Sequence, residues 1–427
     1  MKQKKSTVKG VLSMIIDSKQ YDKPCVCGRS HAMTTAFCVI EPGCLARLGE
    51  YLPRFGIQGK GVAIYDENTY RAKGMVRPQV AQEIILPPEN LHADNHGVAL
   101  AMEQIPEGCD YLIALGSGTI HDITRYCAHE KGIPFVSCPT AASVDGFCSS
   151  VAAMTWYGFK KTWTAVAPTL VVADLNVITQ APAYLSRSGF GDMVGKFVAL
   201  TEWKIGHTLT GEYLCPEIYR MTLEATQAVV DSADGILAGE TEAYEKLMYG
   251  LLLSGLAMQL LGNSRCASGA EHHISHFIEM APPSLGQISQ ALHGENVGVG
   301  TLLVSREYHR LAREEQLPWQ DYPAVNPAEI GEIFGPALEE SIVTENQKDC
   351  AAGLTAEQLQ AAWPAVRQLI AQIPTPQALE AMYEKLGVKT TLADIGITEE
   401  VLPLLLDASP LVRNRLTLMR LRRALAK

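Results

Sequence analysis

The sequence predicts an α/β domain built on a parallel sheet, residues 1–180, followed by an all-α domain, residues 181–427. Three observations predict it. Between about residues 50 and 180 the β-rich runs GKGVAIYD, QEIILP, DYLIALGSG, PFVSCPT and TLVVADL alternate with amphipathic stretches, the pattern of a parallel sheet covered by helices. After about residue 180 strand signals become scarce and helical periodicity dominates, broken by proline-rich turns at APPS from Ala281 and LPWQDYP from Leu317. At 427 residues the chain exceeds one ordinary domain, and two is the better division.

Composition narrows the class. Apolar residues make up 47% and charged residues 19%, enough for sizeable cores and too apolar for a disordered chain. A formal charge of -10 lacks the basic excess that neutralises a nucleic-acid backbone, so nucleic acid is excluded as a partner. The eleven cysteines, scattered from Cys25 to Cys350, do not form a disulfide framework, and a reducing cytoplasm fits them best.

The N-terminal MKQKKSTVKGVLSMIID has a basic start, but its apolar stretch VLSMII is shorter than a signal peptide's core. PCVCGRSH, Pro24 to His31, offers two thiolates and an imidazole; a structural zinc site wants a fourth ligand, which Cys38 or Cys44 would have to supply. GVAIYDENTY ends a strand at Asp66, where a carboxylate accepts from the hydroxyls of an adenosine ribose or simply caps the next turn. A carboxylate beside the ribose repels a 2′-phosphate, which favours NAD over NADP.

YLIALGSGTIHDITRY reads as a strand, a Gly-Ser-Gly turn and a helix start, a geometry that presents backbone N–H groups to a phosphate. Glycines occur in any such turn, and the full GxGxxG is missing. In SCPTAASVDGFCSS, Thr140, Ser143 and Ser149 are candidate hydrogen-bond partners of a nucleotide, and Asp145 is a candidate acceptor for a substrate hydroxyl. The charge-free run Leu247 to Ser264 approaches the length of a membrane span, but its polar residues and glycines favour a buried helix. The C-terminal RNRLTLMRLRRALAK reads as a solvated helix end whose arginines complement the dipole.

The histidines carry the most chemistry. In SGAEHHISHFIE, His272 and His276 are four residues apart and share one helix face, and His293 follows in HGENVGVG. Two imidazoles leave a catalytic divalent metal short of protein ligands, and Asp192 in SGFGDMVGK is the best carboxylate to complete the set. Asp192 as an ordinary helix cap is the competing reading. Lys196 and Arg265 are either phosphate contacts or structural ion-pair partners.

Taken in order, GVAIYD, GSGTIHD, PTAASVDGFCSS, GFGDMVGK, SGAEHHISH and HGENVGVG resemble the glycerol-1-phosphate dehydrogenases, within the superfamily of iron-type alcohol dehydrogenases, glycerol dehydrogenases and dehydroquinate synthases. The resemblance covers about residues 60 to 300. It implies a dehydroquinate synthase-like fold and a cytoplasmic homodimer that interconverts dihydroxyacetone phosphate and sn-glycerol 1-phosphate with NADH or NADPH and one divalent metal, zinc or nickel. Carried over by motif, Asp192, His272 and His293 look like the metal ligands. Asp145, Asp192 and His276 look like the substrate and catalytic positions. Asp66, Gly116, Ser117, Gly118, Thr119, Ile120, His121, Asp122, Thr140, Ala141, Ala142, Ser143 and Ser149 fall at the nucleotide positions. The family often carries GGGK or GGGS where this chain has Gly116-Ser117-Gly118-Thr119. The competing functions are a polyol dehydrogenase on an unphosphorylated substrate, a dehydroquinate synthase-like lyase, and a nucleotide-binding protein without chemistry.

Overall fold

The computed structural model describes residues 14–21, 23–156 and 159–426, so the basic N-terminal start lies outside the described residues. They form two units. The first comprises the described residues through Gly189 together with Gln227–Asn263, and the second Phe190–Thr226 with the described residues from Ser264 onward.

The first unit is built on a seven-stranded sheet of β1 (Met14–Asp17), β2 (Phe37–Glu41), β3 (Gly61–Asp66), β4 (Gln82–Leu86), β5 (Tyr111–Gly116), β6 (Phe135–Pro139) and β9 (Leu170–Asp174), with β7 (Val151–Trp156) and β8 (Phe159–Thr164) forming a separate hairpin. The spatial order is β1-β2-β9-β6-β5-β3-β4, and every neighbouring pair is parallel except β1 with β2. The five runs read as strands become β3, β4, β5, β6 and β9. β1, β2 and the hairpin fall outside those runs.

Burial on both faces explains the near-continuous apolar strands. Successive residues alternate between the two layers: Ala63, Tyr65, Ile113 and Leu115 pack on one side with Tyr51 and Leu52, and Val62, Ile64, Leu112 and Ala114 on the other with Ile123 and Cys127. From β3 the chain moves outward to β4, then returns to β5 and continues in the opposite direction to β6. The sheet's topological switch therefore lies between β3 and β5, where open parallel sheets bind ligands beyond their strand ends.

The helix Thr241–Leu261 takes in the run Leu247 to Ser264, read as a buried helix, except for its last three residues, and has Leu247, Leu251, Leu252 and Leu256 fully buried. It belongs to the first unit although it follows residue 180, because polar contacts hold it there: Ser254 donates to Asp145, and Gln259 donates to the Cys148 carbonyl and to Thr35. No described helix is long and apolar enough to cross a membrane.

Among its described residues the second unit is helical, around a core that includes Ile274, Phe277, Val299, Leu303, Trp363 and Leu405. The C-terminal arginines correct the sequence reading. Arg420 is fully buried and donates to Asp349, Asn346 and the carbonyls of Pro410 and Arg413, while Arg423 pairs with Glu329 and Arg422 with Glu307. They serve as donors to carbonyl, amide and carboxylate oxygens, because the flanking Leu418, Met419 and Leu421 draw the segment into the core.

Candidate active site

Three helices of the second unit bring the metal-type residues together. Asp192 lies on Ala183–Thr210, His272 and His276 on Ala270–Met280, and His293 is the first residue of His293–Leu311. One ligand atom each from Asp192, His272 and His293 falls within 4.8 Å of the other two. The His276 ring centre is 6.0 Å from that of His272 and 5.8 Å from that of His293.

Two glycines permit the approach. A Cβ on Gly191 would lie 2.5 Å from the Gly294 carbonyl oxygen, so the helix bearing Asp192 passes directly over the turn that starts with His293. A Cβ on Gly300 would lie 2.6 Å from the Glu271 carbonyl oxygen, which seats the third helix against the second beside His272. Only glycine lets two backbones meet this closely.

The electrostatics suit a cation. Glu271 accepts from His272 Nδ1 at 2.7 Å, and Glu279 accepts from His293 Nδ1 at 2.6 Å and from Ser275 at 2.8 Å. Each bond puts the imidazole proton on Nδ1 and leaves Nε2 as a donor atom, the arrangement that orients metal-binding histidines. Lys196 Nζ is 2.7 Å from Asp192 Oδ1, and both side chains are wholly buried. Burial raises the Asp192 carboxyl, but Lys196 and His272 outweigh it and hold the group well below the usual carboxylate range. Burial and Lys196 push the His272 imidazole down; its bonds to Asp192 and Glu271 prevail and lift it to about 9. The proton that His272 holds on the Nε2 facing Asp192 is the one a metal would displace, and one carboxylate with two imidazoles is a donor set that fits a borderline divalent metal. His276 is kept neutral mainly by burial, with the neighbouring His293, His272 and Arg413 acting in the same direction.

Glu271, Glu279 and Ser275 were not singled out from the sequence. Carboxylates interleaved with histidines on one helix were a usable signal for Glu271, but the Glu279–His293 bond joins separate helices. Lys196 pairs with Asp192 and Arg265 with Glu212 at 2.9 Å. Replacing Glu279 with Gln keeps the shape but weakens the hold on His293. We expect a loss of about 10- to 100-fold in metal affinity, read by competition with a chromophoric chelator.

The nucleotide-type residues lie in the first unit, at the carboxyl ends of β3, β5 and β6. Asp66 accepts from the Thr69 amide at 2.7 Å in a capping box while ending β3. Gly116 ends β5, and Ser117 is the N-cap of the helix Gly118–Lys131 without a side-chain cap bond. Thr119 and Ile120 follow in that helix's first turn, and Asp122 pairs with Arg125 at 2.7 Å. Thr140, Ala141, Ala142 and Ser143 are buried beyond β6, and Ser149 bonds Val151 at the start of the hairpin. Asp145 accepts from Ser254 at 2.8 Å. Arg125, also unanticipated, donates to the carbonyls of Gly146, Phe147 and Val151 and so pins this loop.

His121 sits beneath the turn, 1% exposed, with Nδ1 at 2.9 Å from the Ser117 carbonyl and Nε2 at 2.8 Å from Ser137 Oγ. Burial lowers its imidazole from 6.5 to about 3. Between those values the unfolded chain binds a proton that the folded chain refuses, so this contribution is complete above pH 6.5 and is lost as the pH falls toward 3. From pH 7 to pH 5 it amounts to about 2 kcal/mol. Urea unfolding at both pH values should show a shallower loss in His121→Gln than in the wild type, and equal slopes would refute the assignment.

Comparison with known proteins now places the chain. It is 34% identical to a glycerol-1-phosphate dehydrogenase (NAD(P)+) of Geobacillus stearothermophilus, over 93% of this chain and 95% of the relative. The chain belongs to the glycerol-1-phosphate dehydrogenase family. A second member, from Halalkalibacterium halodurans, is 32% identical over 95% of this chain and 97% of its own. The family model for iron-containing alcohol dehydrogenase matches residues 39–182, which span β2 to β9. Among solved structures, a probable glycerol dehydrogenase from Sinorhizobium meliloti 1021 superposes with a TM-score of 0.57 at 20% identity, covering 90% of this chain and 93% of that one. Glycerol dehydrogenase from Schizosaccharomyces pombe gives 0.52 at 20% identity, over 82% and 90%. These likenesses establish a shared fold, an α/β parallel-sheet part followed by a helical one.

Proposed function

We propose that this chain reduces dihydroxyacetone phosphate reversibly to sn-glycerol 1-phosphate with a reduced nicotinamide nucleotide. The observation that carries the reading is the Asp192, His272 and His293 set, present and convergent in a chain 34% identical to a named glycerol-1-phosphate dehydrogenase over nearly its whole length. Asp192, with the Nε2 atoms of His272 and His293, would hold the divalent metal, zinc or nickel. Such an ion supplies Lewis-acid polarisation of a carbonyl, and a reduced nicotinamide supplies the hydride.

The protein's own groups do the rest. Glu271 and Glu279 fix the orientation of the two ligand imidazoles. His276, neutral in its buried position, hydrogen-bonds a substrate oxygen without adding charge, and as a donor it can pass a proton through water to the new hydroxyl. In the first unit, the helix beginning at Gly118 presents backbone N–H groups to a pyrophosphate, and Asp145 accepts from a substrate hydroxyl. Asp66 at the end of β3 favours NAD(H), with NADP(H) a weaker alternative. We extend the reading to a cytoplasmic homodimer, which the family resemblance implies.

Steady-state assays with dihydroxyacetone and its phosphate, each with NADH and NADPH, test it together with chiral analysis of the product. The expected result is stoichiometric NADH consumption with the phosphate and formation of the sn-1 isomer. Turnover of the free ketone alone would instead make the chain a polyol dehydrogenase, and product without net NADH consumption would make it a lyase.

A further inference from the structure

We propose that the first unit carries a second metal site, a thiolate–imidazole site formed by Cys25, Cys27 and His31 and suited to zinc. Their ligand atoms lie within 4.8 Å of one another, and Cys27 Sγ is 3.3 Å from His31 Nε2. Tetrahedral zinc with bonds of about 2.3 Å to sulfur and 2.0 Å to nitrogen places such ligands roughly 3.5 Å apart, so the spacing already matches.

The histidine is prepared for the task by a contact outside the set. His31 Nδ1 is 2.8 Å from the Leu260 carbonyl oxygen, which can only accept, so the ring proton sits on Nδ1 and the Nε2 lone pair faces the Cys27 sulfur. A thiol donating to that lone pair would account for Cys27 and His31 alone. It leaves unexplained why the second thiol, Cys25, is within ligand distance of both. The backbone gathers the three by a tight turn: Gly28, at φ +81°, donates to the Cys25 carbonyl at 3.0 Å, and Cys25 N lies 3.4 Å from the Arg29 carbonyl.

The segment also needs a clamp. It contains no helix or strand between residues 23 and 36, and Val26, its large aliphatic side chain, is 77% exposed, so no core of its own holds it. A metal crosslink orders such a stretch where burial cannot. Neither Cys38 nor Cys44, the expected fourth ligands, belongs to the set: the Cys38 and Cys148 thiols share a hydrogen bond and Cys44 lies beside Asp174 and Cys138.

Cobalt(II) tests this on the full-length protein without relying on turnover. Asp192, His272 and His293 offer no sulfur, so a sulfur-to-cobalt charge-transfer band reports on the proposed site alone. We expect that band in the metal-stripped wild type on adding one equivalent beyond the amount that fills the other site. It should be lost in Cys25→Ser with Cys27→Ser and retained in Asp192→Ala. Elemental analysis should show one zinc fewer in the double serine variant and in His31→Gln, with dehydrogenase turnover unchanged. Absence of the band from the folded wild type, or equal zinc in wild type and double variant, would overturn the proposal.

Discussion

Asp192→Ala should lose bound metal and turnover together. The change removes the carboxylate of the donor set, and the transition-state stabilisation it forfeits, about 4 kcal/mol, corresponds to a rate loss of about 10³-fold. It also strands the Lys196 ammonium, which is fully buried and paired with Asp192 at 2.7 Å. Removing one partner of a buried pair costs roughly 3–5 kcal/mol of stability. The double variant Asp192→Ala with Lys196→Met separates the two effects. Its unfolding midpoint should return most of the way to wild type, whereas its metal content, by elemental analysis, should stay one ion per chain below wild type. Full metal occupancy in folded Asp192→Ala would remove this residue from the site.

Gly191→Ala should impair catalysis without changing any polar group. The added methyl would meet the Gly294 carbonyl oxygen at 2.5 Å, and backbone on both sides leaves no flexible side chain to yield. Relief requires the Asp192 helix to move away from the turn carrying His293, and a displacement near 1 Å costs about 100-fold in rate. Overpacking should also lower stability by about 1–3 kcal/mol. Gly211→Ala is no neutral control, since Gly211 has φ +69°, but Gly49→Ala is, because nothing lies within 4 Å of its added Cβ. Equal metal affinity and kcat/KM in Gly191→Ala and Gly49→Ala would show that the close approach does not set the geometry.

The residues themselves show which parts of this protein are legible in one dimension. β3, β5, β6 and β9 could be read because each buries both faces and so appears as an apolar run ending in a glycine, proline, aspartate or threonine, and the edge strand β4 because Ile84 and Leu86 alternate with exposed residues before a proline. β1 and β2 lie ahead of that alternation, and the hairpin β7–β8 leaves Val151 exposed, so its pattern is diluted. The His272 and His276 pair was legible because a helix repeats its face every four residues. The two nucleotide-type glycines were legible because a strand-to-helix turn needs them locally.

Sequence alone determined the fold class, five strands of the sheet in their chain order and the residue types able to hold a cation, since each depends on periodicity or turn chemistry within a few positions. Tertiary structure decided the rest. It selected Glu279 as the partner of His293, gave Lys196 to Asp192, drew Thr241–Leu261 into the first unit and buried Arg420 among carbonyl oxygens. Each of those outcomes joins groups distant in the chain, and which ones meet depends on how closely two backbones can pack, a property that no local pattern records.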